Sequence, residues 1–211
     1  MKQTILCILA CFSCAAAWAM PGQQTPSYAA RLLDQAIARL ESMSDYRADF
    51  TLSYGEVPAA RGTMYAAGDK YRVEMADFTL LCDGRFTYTV MYDEQEVTVR
   101  SVSDSEAVMM GSVQQILRRF AAQFVPRTDR REGTVQYLRL VPRDPDNPSQ
   151  YLSVGIDTAT GLPVRMEEVS RDGSRTVLDV ISLERGGGAS PALYEFREED
   201  YRQKGYYIAR P

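Results

Sequence analysis

The stretch Tyr46-Arg47-Ala48-Asp49-Phe50-Thr51-Leu52-Ser53-Tyr54 alternates apolar and polar side chains along its whole length. Successive side chains of a strand point to opposite faces, so this period of two indicates a strand with one buried and one solvated face. The same pattern predicts further short strands at 61–67, 70–76, 78–82, 86–92 and 96–102. Turn residues such as Gly68-Asp69 and Asp83-Gly84 separate them, so we expect hairpins and an antiparallel sheet.

Two segments carry apolar residues at the spacing of an amphipathic helix. The segment from Ser27 to Met43 predicts a first helix, for which Ser27 is a suitable N-cap. The segment from Asp104 to Phe124 predicts a second helix that interrupts the sheet. Strands are expected to resume at 134–142, 150–157, 163–170 and 174–184, with a short last strand at about 206–208.

These elements predict a mostly β (α+β) protein with about ten to eleven short antiparallel strands. A sheet of that many strands must curl. Helices packed against the concave face of a curled sheet would bury both helical stripes. This arrangement places an apolar cavity between the sheet and the helices.

The N-terminal residues have the pattern of an export signal. Lys2 is followed by an uncharged run that ends in Ala17-Trp18-Ala19, so residues 1–19 are interpreted as a signal peptide cleaved after about Ala19. Residues 20–211 are then expected to form a single domain. Cys82 is the one cysteine in that range, which excludes an internal disulfide there.

The charge balance argues against nucleic acid as a partner. The formal net charge is -4, and removing the leader with its Lys2 makes it about -5. The basic residues are interpreted as spread through the strands without a cluster, so docking on anionic lipid is not expected.

Most catalytic chemistry is excluded by what the sequence lacks. The chain has no histidine, which excludes histidine-dependent catalysis and histidine-based metal sites. No glycine-rich phosphate loop is present, and neighbouring carboxylates such as Glu167-Glu168 point to opposite faces of a strand. We therefore expect a binding protein rather than an enzyme, with no cofactor and no metal.

Several short motifs occur in the order and at the spacing found in one known protein family. The most specific is the turn Asp83-Gly84-Arg85, which leads into the aromatic Phe86. The others are Ala48-Asp49-Phe50-Thr51, Gly62-Thr63-Met64-Tyr65, Glu96-Val97, Leu138 to Pro142, Ile156-Asp157 with Gly161-Leu162-Pro163, and Phe196. In this order and spacing the chain resembles the outer-membrane lipoprotein carrier family, the LolA-like periplasmic chaperones, over nearly all of residues 20–211.

The resemblance implies an unclosed, strongly curved β-barrel with helices over its concave apolar face. It implies a monomeric LolA-like lipoprotein-carrier domain in the periplasm that binds the acyl chains of lipoproteins and carries them from the inner to the outer membrane. The implied partners are acylated lipoproteins, an inner-membrane lipoprotein-release complex, and an outer-membrane acceptor or the outer membrane itself. Around Ala67-Gly68-Asp69 the chain has no counterpart to the arginine that holds the helical lid closed in the best-known members.

The candidate acyl-chain cavity is lined by inward-facing apolar residues of the predicted strands and of the second helix. These candidates are Phe50, Leu52, Met64, Tyr71, Val73, Met75, Phe78, Leu80, Tyr88, Met91, Ile116, Leu117 and Phe120. An ordinary filled core predicts the same alternation, so a structural β module remains an alternative. A second alternative is a lipid-sensing or lipoprotein-sensing module of the cell envelope on the same scaffold.

Overall fold

Twelve strands form one sheet in the computed structural model, which describes residues 26–57, 59–104 and 111–210. The predicted signal peptide lies outside the described residues. The strands are β1 (Asp45–Tyr54), β2 (Ala60–Ala67), β3 (Lys70–Glu74), β4 (Phe78–Cys82), β5 (Phe86–Met91), β6 (Glu96–Ser101), β7 (Phe124–Glu132), β8 (Val135–Pro142), β9 (Ser149–Asp157), β10 (Leu162–Ser170), β11 (Arg175–Arg185) and β12 (Tyr207–Ala209). The helices are α1 (Tyr28–Glu41), α2 (Val113–Gln123) and α3 (Glu198–Gln203), with 3-10 turns at Val102–Asp104 and Pro191–Tyr194.

The sheet runs in the order β12-β6-β5-β4-β3-β2-β1-β11-β10-β9-β8-β7 and does not close. Neighbouring strands are antiparallel, as the hairpin turns predict, except that β12 pairs with β6 in parallel. The predicted unclosed, curved, mostly β fold is confirmed. Its two free edges are β12 and β7.

Two helices cover the concave face of the sheet. Ser27 caps α1, its hydroxyl accepting a hydrogen bond from the Ala30 N–H at 3.1 Å. Ser112 and Gln115 form a capping box that starts α2. The apolar stripes of α1 and α2 join the inward-facing residues of the strands in one buried core. No helix within the described ranges is long and apolar enough to cross a membrane.

Strand β1 follows the alternation predicted from its sequence. Tyr46, Ala48 and Phe50 are almost completely buried in the core, and Leu52 packs against it. Tyr54, at the end of the strand, is 60% exposed. The first four apolar positions of the pattern therefore face the helices, and the last one reaches solvent.

Two elements were not predicted. Strand β7 was missed because it lies at a free edge, contains Pro126 and carries mostly exposed polar residues, with Phe124 its one buried side chain. Helix α3 was missed because Glu198-Glu199-Asp200 has no apolar stripe. The predicted second helix began too early: Val102–Asp104 is a 3-10 turn and α2 starts at Val113, while residues 105–110 lie outside the described residues.

A second, smaller apolar cluster lies on the convex face. Tyr88 of β5 stacks on Phe196 with 4.2 Å between ring centroids, and Phe196 stacks on Tyr201 of α3 at 5.1 Å. The buried members of this cluster are Leu81, Tyr88, Val90, Val97, Val99 and Ile208. The C-terminal segment is thus fixed to the back of β4, β5 and β6.

Candidate functional site

A small apolar cavity of about 130 Å³ lies between the concave face of the sheet and the start of α2. Its walls come from β1 to β4 and β11, and from α2 together with the residue before its cap. The lining residues are Phe50, Leu52, Met64, Val73, Met75, Phe78, Leu80, Gly111, Ile116, Thr176 and Leu178. The cavity is therefore located where the curled sheet and the second helix were expected to leave space.

Eight of the thirteen candidate residues lie together on this cavity. They are Phe50, Leu52, Met64, Val73, Met75, Phe78, Leu80 and Ile116. Tyr71, Leu117 and Phe120 belong to the surrounding core and are 4%, 0% and 1% exposed. Met91 is paired with Phe78 across β4 and β5, on the concave face but away from the cavity.

Tyr88 lies on the opposite face of the sheet. It pairs with Leu81 across β4 and β5, and both side chains belong to the convex cluster. Tyr88 and Met91 are three residues apart in one strand, and such residues cannot share a face. The prediction that both residues line one cavity is therefore wrong for Tyr88, and the register places Met91 on the concave face.

Three lining residues were not anticipated. Thr176 and Leu178 lie in β11 and alternate with solvent-facing positions, so the alternation along this strand could have identified them as inward-facing. Gly111 precedes the Ser112 cap, and because it has no side chain, no apolar pattern could predict that it lines the cavity. The contribution of β11 follows from its pairing with β1, which brings Leu178 opposite Leu52.

Gly62 gives two lining side chains the room they occupy. It lies opposite Phe50 in the β1 and β2 register. A Cβ atom at this position would clash with Phe50 Cζ and with Met75 Sδ. A larger residue would displace both of these lining side chains, so glycine allows the close packing of the cavity wall at this position.

Polar contacts fix the N-terminal turn of α2 over the cavity. The Tyr46 hydroxyl donates to Gln114 Oε1 at 2.6 Å and accepts from the Val113 N–H at 3.0 Å. Gln114 Nε2 donates to the Gly68 carbonyl at 3.0 Å. These bonds tie the helix to β1 and to the turn between β2 and β3.

Two further contacts hold α2 from its exposed side. Gln115 Nε2 donates to the Asp69 carbonyl at 3.2 Å, and Arg118 forms an ion pair with Glu41 of α1 at 2.7 Å. The turn at Gly68-Asp69, where no lid-holding arginine was found in the sequence, thus accepts hydrogen bonds from two glutamines of α2. We call the contacts of Tyr46, Gln114 and Gln115 the α2 latch.

Burial makes two tyrosines of this region unusually weak acids. Desolvation raises the pKa of Tyr46 and of Tyr71 well above the ordinary value of about 10. Both hydroxyls therefore stay neutral in the folded protein at a pH where the same side chains would ionise in the unfolded chain. Only the neutral Tyr46 hydroxyl can donate to Gln114.

Stability is expected to fall as the pH rises above about 10. The folded-state pKa values are raised, so the unfolded chain loses these protons first, and each group contributes a loss of about 1.4 kcal/mol per pH unit until its folded-state pKa is reached. Urea unfolding at a series of alkaline pH values measures this slope. Tyr46→Phe should lessen it. An unchanged slope in Tyr46→Phe would contradict the assignment.

The cavity is smaller than an acyl chain. An apolar cavity of about 150 Å³ accommodates one benzene molecule, and ligand pockets usually measure about 300–1,000 Å³. The observed volume of about 130 Å³ is therefore too small for a long acyl chain. A long apolar ligand would fit in this cavity only if residues or elements that line it moved.

No protein-family model and no curated protein matches the chain. An uncharacterised conserved protein from Thermus thermophilus has a similar structure, with 15% identity, a TM-score of 0.59, and coverage of 88% of this chain and 100% of that one. A LolA superfamily protein from Nitrosomonas europaea is 12% identical, with a TM-score of 0.44 and coverage of 80% and 97%. The lipoprotein LppX of Mycobacterium tuberculosis is 10% identical, with a TM-score of 0.44 and coverage of 76% and 97%.

The similarity to the Thermus protein shows a shared fold, and at 15% identity it shows the fold alone. The observed architecture is an unclosed, curved sheet with helices on its concave face and an apolar cavity beneath α2. This is the architecture that the resemblance of the sequence motifs implied. The fold that the resemblance implied, an unclosed curved sheet covered by helices, is therefore confirmed.

Proposed function

We propose that this protein is a periplasmic chaperone that binds the acyl chains of lipoproteins beneath α2 and carries them from the inner to the outer membrane. The observation that carries the proposal is the apolar cavity covered by a helix whose first turn is held by polar contacts as well as by its buried apolar residues. The proposed role is binding without catalysis and without a cofactor. The proposed partners are an inner-membrane release complex and an outer-membrane acceptor or the membrane itself.

The physical task of such a carrier is to shield acyl chains from water. Burying one CH₂ group is worth about 0.8 kcal/mol, so a chain of about fifteen groups resists transfer into water by roughly 12 kcal/mol. A carrier must offer comparable apolar surface and still release its cargo. A helix that opens and closes over an apolar sheet face meets both requirements.

The lining side chains suit a ligand of variable shape. Met64 and Met75 are flexible thioethers on the cavity wall, and unbranched methionines adapt to ligands that pack in different ways. Phe50 and Phe78 add large apolar surfaces on either side. Outward movement of α2 would uncover these side chains together with Ile116, which supports a cavity that enlarges on binding.

Leu52→Glu is expected to weaken binding of a fluorescent triacylated lipopeptide by at least about a hundredfold, because acyl chains would have to pack against a charge. Leu52 is only partly buried, so the variant should fold. Fluorescence titration of the purified protein measures the affinity. The matched control is Ile181→Glu, at a 57% exposed position outside the cavity, which should bind as the wild type does. Equal affinity in folded Leu52→Glu would refute the site.

Transfer distinguishes a carrier from a sensor on the same scaffold. Protein loaded with the lipopeptide should deliver it to acceptor vesicles or to outer-membrane fractions. A sensor would bind the lipopeptide without delivering it. Native mass spectrometry of protein purified from the periplasm, in which bound acylated species are expected, provides the corresponding test in the cell.

A further inference from the structure

Arginines are enriched in the stretch of chain that leads into one free edge of the sheet and forms that edge. From Arg118 to Arg143 the chain has seven arginines and two acidic residues, a local net charge of +5 in a chain whose formal net charge is -4. This stretch forms the second half of α2 with β7 and β8. The expectation that basic residues are evenly spread is therefore wrong for this part of the molecule.

Two of these arginines face each other across neighbouring strands. Arg127 of β7 and Arg139 of β8 are direct partners in the antiparallel register, and both are exposed. Leu138 and Leu140, the neighbours of Arg139 in β8, are buried in the concave core, so the arginine pair lies on the convex face. Like charges placed directly opposite each other destabilise a sheet.

No carboxylate among the described residues forms an ion pair with either arginine. The Arg139 guanidinium lies 3.9 Å from the centre of the Tyr151 ring, and an aromatic ring does not neutralise it. The acidic residues of β7, Asp129 and Glu132, both pair with Arg130, at 3.6 Å and 2.7 Å. The pair of arginines thus keeps its positive charge exposed.

Two other arginines of this face have partners of the opposite charge. Arg165 of β10 pairs with Asp179 of β11 at 2.6 Å, and Arg175 pairs with Glu167 at 3.2 Å. These cross-strand partners have opposite charges, which stabilises a sheet. The arrangement at the free edge is therefore an exception within one continuous surface, and such exceptions occur where a surface serves binding.

Apolar side chains accompany the two arginines. Val125 and Val141 are paired in the same register, two residues from Arg127 and Arg139, and so lie on the same face. Val125 is 37% exposed although it is fully apolar. We call the convex surface of Val125, Arg127, Arg139 and Val141 the arginine edge. It combines guanidinium groups with exposed valine on an extended part of the sheet.

We propose that the arginine edge is a docking surface for an anionic phospholipid bilayer. Guanidinium groups bind phosphate oxygens through paired hydrogen bonds, and the lipid phosphates would relieve the repulsion between Arg127 and Arg139. Exposed valine favours a lipid surface over an acidic protein, because apolar side chains gain by entering the headgroup region. The surface lies on the face opposite the cavity, so this docking is independent of acyl binding.

Co-sedimentation of the ligand-free protein with vesicles tests the proposal. The wild type should bind phosphatidylglycerol-containing vesicles, should not bind phosphatidylcholine vesicles, and should be released in about 1 M salt, where charges are screened within about 3 Å. Each basic side chain at an anionic membrane contributes about a fivefold gain in binding, so Arg127→Gln with Arg139→Gln should weaken binding about thirtyfold. This double variant should keep its stability and its affinity for the acylated lipopeptide.

The matched control is Arg165→Gln with Arg175→Gln, which removes the same charge from the same face at positions that already have acidic partners. The affinity of this control variant for the phosphatidylglycerol-containing vesicles should fall by less than about threefold. Val125→Asp is a second variant at an exposed position and should also weaken binding. Equal losses in both double variants, equal binding to neutral vesicles, or binding to polyglutamate in preference to vesicles would each overturn the proposal.

Discussion

Replacing Phe120 with alanine is expected to lower the free energy of unfolding by about 3–5 kcal/mol. Phe120 is 1% exposed, packs edge-to-face against Phe124 with 6.1 Å between ring centroids, and belongs to the core between α2 and the sheet. Truncation removes apolar contacts and leaves a void that the surrounding core fills only in part. Urea unfolding monitored by circular dichroism measures the difference.

Phe86→Ala is the matched control for this substitution. Phe86 lies in β5 and is 38% exposed, so the same truncation there should cost less than about 1 kcal/mol. If Phe120→Ala were as stable as the wild type, α2 would not be packed in solution as the structure has it. A charged residue at Phe120 would test folding rather than ligand binding, whereas Leu52 can be changed with less damage.

The first half of the sheet could be predicted from the sequence because each strand there has one buried face and a recognisable turn. Strand β4 occupies 78–82 as predicted, and β5 and β6 end within one residue of the expected positions. Strand β7 gave no such signal. It pairs on one side only, contains Pro126 and is mostly charged from Arg127 onward, so its sequence shows no alternation of buried and exposed residues.

The start of α2 could have been predicted from its capping residues, which an analysis of helical periodicity alone does not take into account. Ser112 and Gln115 have the spacing of a capping box, and the structure contains both of its hydrogen bonds. The apolar spacing upstream of Ser112 suggested a longer helix. Local capping chemistry, rather than apolar spacing, sets where the helix begins.

The sequence could predict which face of the sheet and of α2 points inward, but not which of these inward residues line the cavity. Alternation is the same in a cavity wall and in a filled core. Leu117 and Phe120 share the inward stripe of α2 with Ile116, yet only Ile116 reaches the cavity. A helical stripe is wide enough to cover both the cavity and the core around it. Distinguishing them requires the positions of α1 and β11, which depend on contacts between residues far apart in the chain.

The α2 latch could not be predicted because it also depends on contacts between residues far apart in the chain. Tyr46 and Gln114 are 68 residues apart, and neither residue type indicates the other. In the sequence Tyr46 is one more apolar residue of an alternating strand. In the fold its ring is part of the core and its hydroxyl bonds to the first turn of α2, so one side chain contributes both apolar packing and a polar link between strand and helix.

Tyr46→Phe is therefore expected to favour the open state of α2. The ring is kept, but Val113 N–H and Gln114 Oε1 lose a buried partner, which costs the closed state about 1–3 kcal/mol. Both groups can bond to water once α2 moves away. If acyl chains bind only the open state, apparent affinity for the lipopeptide should rise between about fivefold and a hundredfold, because affinity scales with the fraction of open protein.

Tyr194→Phe separates latch opening from general loosening. The Tyr194 hydroxyl donates to the Gly188 carbonyl at 2.8 Å, a buried hydrogen bond that does not involve α2. Its loss should reduce stability to a similar degree and leave the affinity for the lipopeptide unchanged. If both variants gained affinity equally, cavity access would depend on overall stability. If Tyr46→Phe gained none, α2 would not be the element that admits the ligand, and the route into the cavity would have to lie elsewhere along the sheet.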